Sequence, residues 1–307
     1  MGKDVKWSEF FEDNRRYADI INGVVCKGQQ LVSQENLSEL DSRSKGKFRD
    51  AVRKVAFGVN FAIVGIENQD EIDYEFPVRI MEYDVARYRR QISAIKKSVR
   101  EKGEKLKPGE YMYGFKKNSR LHPVTTIVLY AGEEQWDGPE SLHEIIDFTD
   151  IPESLRESVQ DYKIVILDIR RLKDTSIFQT DVRQVFDFIR CSENWDALYD
   201  LVSSNPYFQS MDEDAYEIIS KYANINDGVV KMDDYRREDG GVNVCKGIRD
   251  LMEHSKAEGR EEGVQLGVEQ ERRDIIINML EMNKSIEEIC KVVRCDVEYV
   301  REIMKID

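Results

Sequence analysis

The sequence predicts an α/β sandwich with a helical C-terminal extension. Runs rich in Val, Ile and Phe flank a turn at Gly58, and this pattern is typical of a β-hairpin. Segments with helical spacing precede and follow that hairpin, whereas only helical segments follow a strand predicted at 163–169. Strands flanked by helices and then helices alone indicate a helix-covered sheet with an appended helical part.

Hydrophobic periodicity and turn residues give the elements in order. A basic loop follows the second predicted helix, because Gly103, Pro108 and Gly109 interrupt helical spacing there. The predicted elements are a helix at 7–25, a polar connection at 31–41, the hairpin at 48–69, a helix at 78–99, a strand at 124–130, a short helix at 142–146, a strand at 163–169, and helices at 178–190, 194–202 and 212–222.

The hairpin carries two acidic residues towards its open end. If Gly58 and Val59 form a two-residue turn, residues whose numbers sum to 117 lie opposite each other, which pairs Asp50 with Glu67. Opposed side chains have Cβ atoms ~5 Å apart, so a divalent metal ion would relieve the repulsion between these carboxylates. Two alternatives stay open, namely solvated acids at strand ends and a turn shifted by one residue that pairs Asp50 with Asn68.

The apolar run at 63–66 places Glu67 at the end of a strand. The run is typical of a buried central strand, so we expect the carboxylate to emerge at the edge of the sheet into a cleft. Gln69 shares the face of Glu67, because side chains alternate along a strand.

Several motifs carry a family resemblance. Sixteen residues separate Asp50 from Glu67-Asn68-Gln69, and further motifs lie at 66–69, 77–79, 83–84, 121–124, 128–130, 136–139 and 258–263. This set resembles the Rpn/YhgA-like group of the PD-(D/E)XK nuclease superfamily, described as recombination-promoting nucleases or transposase-like proteins. The resemblance covers nearly the whole chain.

The resemblance implies a PD-(D/E)XK restriction-endonuclease-like αβββαβ core and a DNA endonuclease linked to recombination or mobile elements. It assigns Asp50 and Glu67 as ligands of Mg²⁺ or Mn²⁺, with the Asn68 backbone carbonyl as a further ligand. Gln69 occupies the position of the usual Lys and brings no positive charge. The alternative is therefore a nuclease-fold protein of weak or no activity that binds DNA or a protein.

Four accessory residues follow from the same resemblance. Asp19 lies where relatives place an acid facing the site, although an acid on the helix surface is the alternative. Tyr88 and Gln91 share one helix face and would touch DNA or the catalytic residues, or else serve packing. Arg79 is a phosphate contact at a helix start or a salt-bridged structural residue.

Charge and composition limit the function classes. The chain has 307 residues and a formal net charge of -14, which is unfavourable for nonspecific DNA binding. Basic residues concentrate after residue 86, however, where they form either a DNA-binding rim or a solvated helix face. The candidate DNA contacts are Arg87, Arg89, Arg90, Lys96, Lys97 and Arg100.

The remaining composition predicts a cytoplasmic protein. A mean hydropathy of -0.57 and the lack of an apolar run of ~18 residues exclude a membrane partner, and the N-terminus lacks the apolar core of a signal peptide. The cysteines are odd in number and scattered, so neither a zinc site nor a disulfide framework is expected.

A C-terminal arm carries Gly259, Gly263 and Gly267 at intervals of four residues. Close packing against another helix would offset the cost of glycine in a helix, so the arm predicts a homo-oligomer or docking against the body of the protein, with a solvated tether as the alternative. The tail resembles a helix-turn-helix, for which we favour partner binding over reading of DNA. The predicted parts are a nuclease-like domain at 1–203, a helical extension and linker at 204–254, and the arm and tail at 255–307.

Overall fold

A five-stranded mixed sheet lies at the centre of the first of two structural units, residues Met1–Cys245 and Lys246–Asp307. The structure is a computed structural model, and it describes residues 7–39, 52–66, 73–103, 105–222 and 232–306. The strands are β1 (Ser38–Glu39), β2 (Val52–Ala56), β3 (Val59–Ile66), β4 (Val124–Tyr130) and β5 (Val165–Asp168).

The strands lie in the order β1-β2-β3-β4-β5. The first three pair antiparallel, while β3, β4 and β5 run parallel. The prediction of a central strand at the end of the hairpin is confirmed, because two strands of the sheet lie on each side of β3. β1 falls within the segment 31–41, which the sequence predicts as a connection.

Helices precede, interrupt and follow the strands. They are α1 (Trp7–Phe10), α2 (Asn14–Ile20), α3 (Phe76–Glu101), α4 (Pro108–Tyr113), α5 (Glu153–Arg156), α6 (Val182–Cys191), α7 (Trp195–Ser204), α8 (Glu213–Tyr222), α9 (Val244–Glu281), α10 (Ile286–Val293) and α11 (Val297–Ile306). Short 3₁₀ helices occur at Gln34–Asn36, Leu142–Ile145, Pro206–Gln209 and Met232–Tyr235. The helical α4 lies where the sequence predicts only a loop.

The turn of the β2–β3 hairpin differs from the prediction. Ala56 pairs with Val59, so the two turn residues are Phe57 and Gly58 and paired residues have numbers that sum to 115. Both turn residues have positive φ, 49° and 78°, as a type I′ turn requires. The predicted turn would force the β-branched Val59 into that conformation, which is strongly disfavoured. The predicted register of 117 is therefore wrong.

The two faces of the sheet are covered by different helices. On one face, Lys54 Nζ donates to the Glu12 carbonyl and to Asn14 Oδ1, both at 2.6 Å. On the other face, Thr126 Oγ1 donates to the Asp84 carboxylate of α3 at 2.7 Å. The connection between α1 and α2 thus packs on one side and α3 on the other, which gives the predicted sandwich.

The predicted helix at 7–25 is broken into α1 and α2. Asp13 ends the intervening turn and accepts a hydrogen bond from the Arg15 backbone N–H at 2.7 Å, because a carboxylate at this position satisfies a free N–H of the new helix. The last turn, Ile21–Val25, is a wider π turn. Lys27 and Gly28 then reverse the chain with positive φ.

Helices α6 and α8 pack against the first helices around the buried Arg16, which forms ion pairs with acids at the start of both. The Arg16 side chain is 4 % exposed and donates to both oxygens of Asp181, at 2.8 and 2.6 Å. It also pairs with Asp212 at 2.9 Å and with Asp214. The domain boundary predicted after residue 203 therefore falls inside the first unit.

The second unit is a small helical core formed by the end of α9 with α10 and α11. Its fully buried members are Ile276, Ile289 and Val300. Ser285 caps α10 by accepting from the Glu288 N–H, and Asp296 accepts from the Tyr299 N–H at 2.8 Å. α9 begins at Val244 rather than at the predicted 255.

None of the described helices has the length and apolar character needed to cross a membrane. All five cysteines lie in the described part of the chain, and each is a free thiol.

Candidate active site

Three parallel strands end together at one edge of the sheet. Ile66 of β3 pairs with Tyr130 of β4, and Tyr130 pairs with Asp168 of β5. We call this the C-terminal edge. Ligands of sheets with parallel strands bind outside the carboxyl ends of the strands, so this edge is the candidate active site.

The predicted metal ligands adjoin this edge in the sequence. Glu67 directly follows Ile66, the last residue of β3. Asp50, Glu67, Asn68 and Gln69 themselves lie outside the described residues. Their roles as ligands and catalytic groups therefore stay predictions.

The start of α3 borders the C-terminal edge with an ion pair. Arg79 pairs with Asp73, and its guanidinium carbon stands 5.5 Å from the centre of the Phe76 ring. Phe76 in turn packs with Val128 of β4. Arg79 thus has the salt bridge that the sequence analysis left open, which reduces its availability to a phosphate group.

Residues after β4 and β5 complete the described border. The Trp136 backbone N–H donates to Asp168 Oδ2 at 3.3 Å, and the Trp136 ring lies 5.2 Å from the Tyr130 ring and 5.8 Å from Phe76. Arg171 lies 3.8 Å from Asp168 and donates to the Gly132 carbonyl at 2.9 Å. Asp168 was not predicted as a site residue, although it is an acid at the end of an apolar run that predicts a strand.

The carboxylates on this border already have partners. Asp73 binds Arg79, Asp137 accepts from the Tyr74 hydroxyl at 3.2 Å, and Asp168 holds the Trp136 N–H. Within the described ranges, no group of three or more His, Cys, Asp or Glu side chains could hold a metal ion.

Asp19 is buried and binds the backbone before α6. It is 3 % exposed, so the expectation of an acid on the helix surface is wrong. Its carboxylate accepts from the Gln179 N–H at 2.9 Å, the Thr180 N–H at 2.7 Å and the Thr180 hydroxyl at 2.6 Å. Asp19 thus fixes the backbone before α6.

Tyr88 and Gln91 lie at the opposite edge of the sheet. The Gln91 amide donates to the His122 carbonyl at 3.0 Å and accepts from the His122 N–H at 2.7 Å. The Tyr88 hydroxyl accepts from the Val124 N–H at 3.1 Å. Val124 starts β4, and the strand rise places it about 20 Å from the end of β4 at Tyr130. The structure therefore does not bring Tyr88 and Gln91 to the C-terminal edge.

Asp84 lies between the two edges, on the face of α3 that packs against the sheet. Its carboxylate accepts from Thr126 at 2.7 Å and from the Tyr162 hydroxyl at 2.5 Å. Burial raises the pKa of this carboxyl above its ordinary value, although both hydrogen bonds act in the opposite direction. The pKa of the Tyr162 hydroxyl is also raised, first by burial and then by Asp84. In the sequence, Asp84 follows Phe76 and Ile80 at intervals of four residues, which places this acid on the apolar face of the helix.

The predicted DNA contacts all lie on α3, between its middle and its C-terminal end. Arg89, Arg90, Lys97 and Arg100 are exposed, whereas Arg87 and Lys96 are half-buried. Lys97 lies 3.8 Å from Glu101. The rise of the helix places Lys96 about 25 Å from Arg79 along its axis, so the basic segment extends away from the C-terminal edge.

A family model described as "Putative transposase, YhgA-like" matches residues 40–210. The chain belongs to this YhgA-like family. No curated protein and no solved structure matches the chain significantly. The YhgA-like region includes β2 to β5, both edges of the sheet and the basic segment, and it ends before α8.

Proposed function

We propose that this YhgA-like protein is a Mg²⁺- or Mn²⁺-dependent DNA endonuclease that acts in recombination or in the movement of genetic elements. The observation that carries the proposal is the position of Ile66, which brings the chain to the C-terminal edge immediately before Glu67. The element order of helices, three strands, a helix and a strand supports a PD-(D/E)XK core. We place the activity in the cytoplasm, as predicted.

The hairpin register supports a role for both predicted carboxylates. The observed sum of 115 differs from the predicted 117 by two residues, and side chains alternate with a period of two. A ladder continued in this register would keep Asp50 and Glu67 on one face, in diagonal rather than opposed positions. Diagonal neighbours are ~7–8 Å apart, and the side chains can converge on one ion from that spacing.

The proposed donors suit the proposed ion. Asp50, Glu67 and the Asn68 carbonyl supply oxygen ligands only, which Mg²⁺ prefers. Such an ion, when bound, supplies an activated water and stabilises the charge that develops on the phosphate. Gln69 would orient that water or a phosphate oxygen by hydrogen bonding, without adding positive charge.

Cleavage of supercoiled plasmid tests the proposal. Wild-type protein should nick it in Mg²⁺ or Mn²⁺ and not in EDTA, and Glu67→Ala should be inactive in all three. Glu35→Ala removes an exposed carboxylate from the 3₁₀ helix Gln34–Asn36 and is the matched control that should keep wild-type activity. Equal nicking by wild type and Glu67→Ala would overturn the proposal.

Gln69 favours a second candidate, a nuclease-fold protein that binds DNA or a partner with little or no catalysis. In that case metal-dependent nicking is absent in wild type while DNA binding persists. Gln69→Lys restores the charge of the usual residue, and we expect it to raise the nicking rate at least tenfold if the site is otherwise complete.

A further inference from the structure

Helix α4 exposes three consecutive large side chains. Tyr111, Met112 and Tyr113 are 80 %, 75 % and 67 % exposed. Successive side chains of a helix project about 100° apart, so the three side chains spread around the exposed side of α4. Three exposed large side chains on one short helix indicate a binding surface. We call these three residues the tyrosine patch.

The backbone under the tyrosine patch is fixed. The Glu110 carboxylate accepts from the Lys107 N–H at 3.0 Å and from the Lys117 N–H at 2.9 Å. Gly114 ends α4 with a φ of 63° and donates to the Glu110 carbonyl at 2.7 Å. The rings are therefore presented on a preorganised turn, so that binding would cost little ordering of the backbone.

Positive charge surrounds the tyrosine patch. Residues 96–120 contain nine Lys or Arg and three Glu, a net charge of +6 in a chain of -14. A Cβ added to Gly114 would lie 3.7 Å from Lys96 Cγ, so the end of α4 adjoins the basic segment of α3. The basic residues are Lys96, Lys97, Arg100, Lys102, Lys105, Lys107, Lys116, Lys117 and Arg120.

We propose that the tyrosine patch binds single-stranded DNA, with Tyr111 and Tyr113 stacking on bases and the surrounding cations contacting phosphates. The proposal rests on the DNA endonuclease function proposed above. Every base has a flat face that stacks on an aromatic ring, whereas a duplex hides those faces within its own stack. The local charge favours a polyanion over a protein partner, because the chain is otherwise acidic.

The position of the patch gives it a role separate from cleavage. It adjoins Lys96, about 25 Å along α3 from Arg79 at the C-terminal edge. The patch would therefore hold an unpaired strand about 25 Å from the cut position. DNA with a single-stranded segment next to a duplex is the substrate class that this arrangement fits.

Fluorescence anisotropy in EDTA tests the proposal without any cleavage. The full-length protein is titrated into a labelled thymidine 15-mer and, separately, into a 15-base-pair duplex. Tyr111→Ala/Tyr113→Ala should weaken binding of the 15-mer at least tenfold and binding of the duplex less than twofold. Tyr111→Phe/Tyr113→Phe keeps both rings and should retain wild-type affinity, while Phe57→Ala removes an exposed ring at the hairpin turn and is the matched control.

Salt dependence separates stacking from charge. The double Ala variant should lower the affinity for the 15-mer at every salt concentration and leave the slope of log K against log salt unchanged. Lys105→Ala/Lys107→Ala should reduce that slope by roughly 0.7 for each lost phosphate contact. Equal losses on both DNAs, or none, would overturn the proposal, as would light scattering that shows the rings to join two copies of the chain. If the binding results are as expected but the wild-type protein does not nick plasmid, the proposed endonuclease function is wrong and the proposed single-stranded DNA site stands.

Discussion

The two ends of α3 lie at opposite edges of the sheet and have opposite chemistry. At the C-terminal edge, Arg79 is paired with Asp73, and Phe76 packs on β4. At the other end, Arg89 and Arg100 are exposed and belong to a strongly basic segment. Arg79 at the first end is paired locally, whereas Arg89 and Arg100 at the second end expose their side chains to solvent.

This difference separates the two proposed tasks, cleavage and DNA binding, along the length of α3. The predicted catalytic residues adjoin the C-terminal edge, while the predicted DNA contacts extend about 25 Å from it along α3. A duplex advances 3.4 Å per base pair, so DNA held by both regions would be gripped about seven base pairs from the cut. The five predictions that follow test this separation.

The largest expected effect is the loss of cleavage at the first edge. Asp50→Ala and Glu67→Ala should each reduce metal-dependent nicking by on the order of 10³-fold or more, because each removes an oxygen ligand that no neighbour replaces. DNA affinity in EDTA should change less than twofold for both variants. Undiminished cleavage by both would place the active site elsewhere, and a parallel loss of affinity would break the separation of tasks.

The second effect concerns the basic end. Reversing Arg89, Lys96 and Arg100 to Glu should reduce the slope of log K against log salt on duplex DNA by about three. The control reverses the same number of exposed cations on α9, namely Lys256, Arg260 and Arg273, with the same change in net charge. If both triple variants lose affinity alike, net charge alone explains the effect and the basic segment is a solvated face.

The third effect concerns the number of active sites that act on one DNA molecule. If Gly259, Gly263 and Gly267 join two copies of the chain, truncation after His254 should convert a dimer or larger assembly to a monomer. Cleavage of both DNA strands should then be reduced to nicking of one strand. Light scattering measures the first result and plasmid linearisation the second.

The glycines themselves sharpen this test. Nothing lies within 4 Å of a Cβ added at Gly259, Gly263 or Gly267. Changing all three to Ala should stabilise an isolated helix by about 1 kcal/mol per site, but it should weaken a close contact between two copies. An unchanged assembly in both the truncated and the alanine variants would exclude the arm as the oligomerisation element.

The sequence predicted the strands of the first unit more accurately than the hairpin turn and the side-chain contacts between distant elements. Strand Val124–Tyr130 and the central position of β3 follow directly from apolar runs, because burial on both faces leaves few alternatives. The turn was wrong by one residue because the prediction used Gly58 and not the φ values that its neighbours must adopt. The structural contacts of Asp19 and Arg16 were not predicted, because their partners are more than 150 positions away in the sequence.

A smaller effect tests whether Gln91 serves structure or catalysis. Gln91→Ala removes two hydrogen bonds to the exposed backbone of His122, so we expect a loss of about 1 kcal/mol in the free energy of unfolding, measured in urea. Nicking by the folded variant should equal that of wild type, because this contact lies at the edge away from Ile66. A tenfold loss of nicking at unchanged stability would return Gln91 to the active site.

The smallest effect concerns Asp84, which lies on α3 between the two edges. Burial raises the pKa of its carboxyl above 3.8, so the folded protein retains a proton that the unfolded chain releases. The contribution of Asp84 to the free energy of unfolding therefore falls as pH rises from 3.8 through the folded-state pKa. Asp84→Asn removes this dependence, and its stability relative to wild type should rise with pH across that window.

Asp13 provides a control of opposite sign. Its pKa is lowered, mainly by the hydrogen bond from the Arg15 side chain, so its contribution is present above 3.8 and is lost as pH falls through the folded-state pKa. Asn is an equally good cap for α2, and Asp13→Asn should therefore become less stable relative to wild type as pH rises through that lower window. Urea unfolding of the three proteins at pH values from 2 to 7 measures both trends. If the stability of Asp84→Asn relative to wild type instead fell as pH rises, as expected for Asp13→Asn, the fold would stabilise the charged form of Asp84. The charge of Asp84 would then serve function rather than the packing of α3 on the sheet.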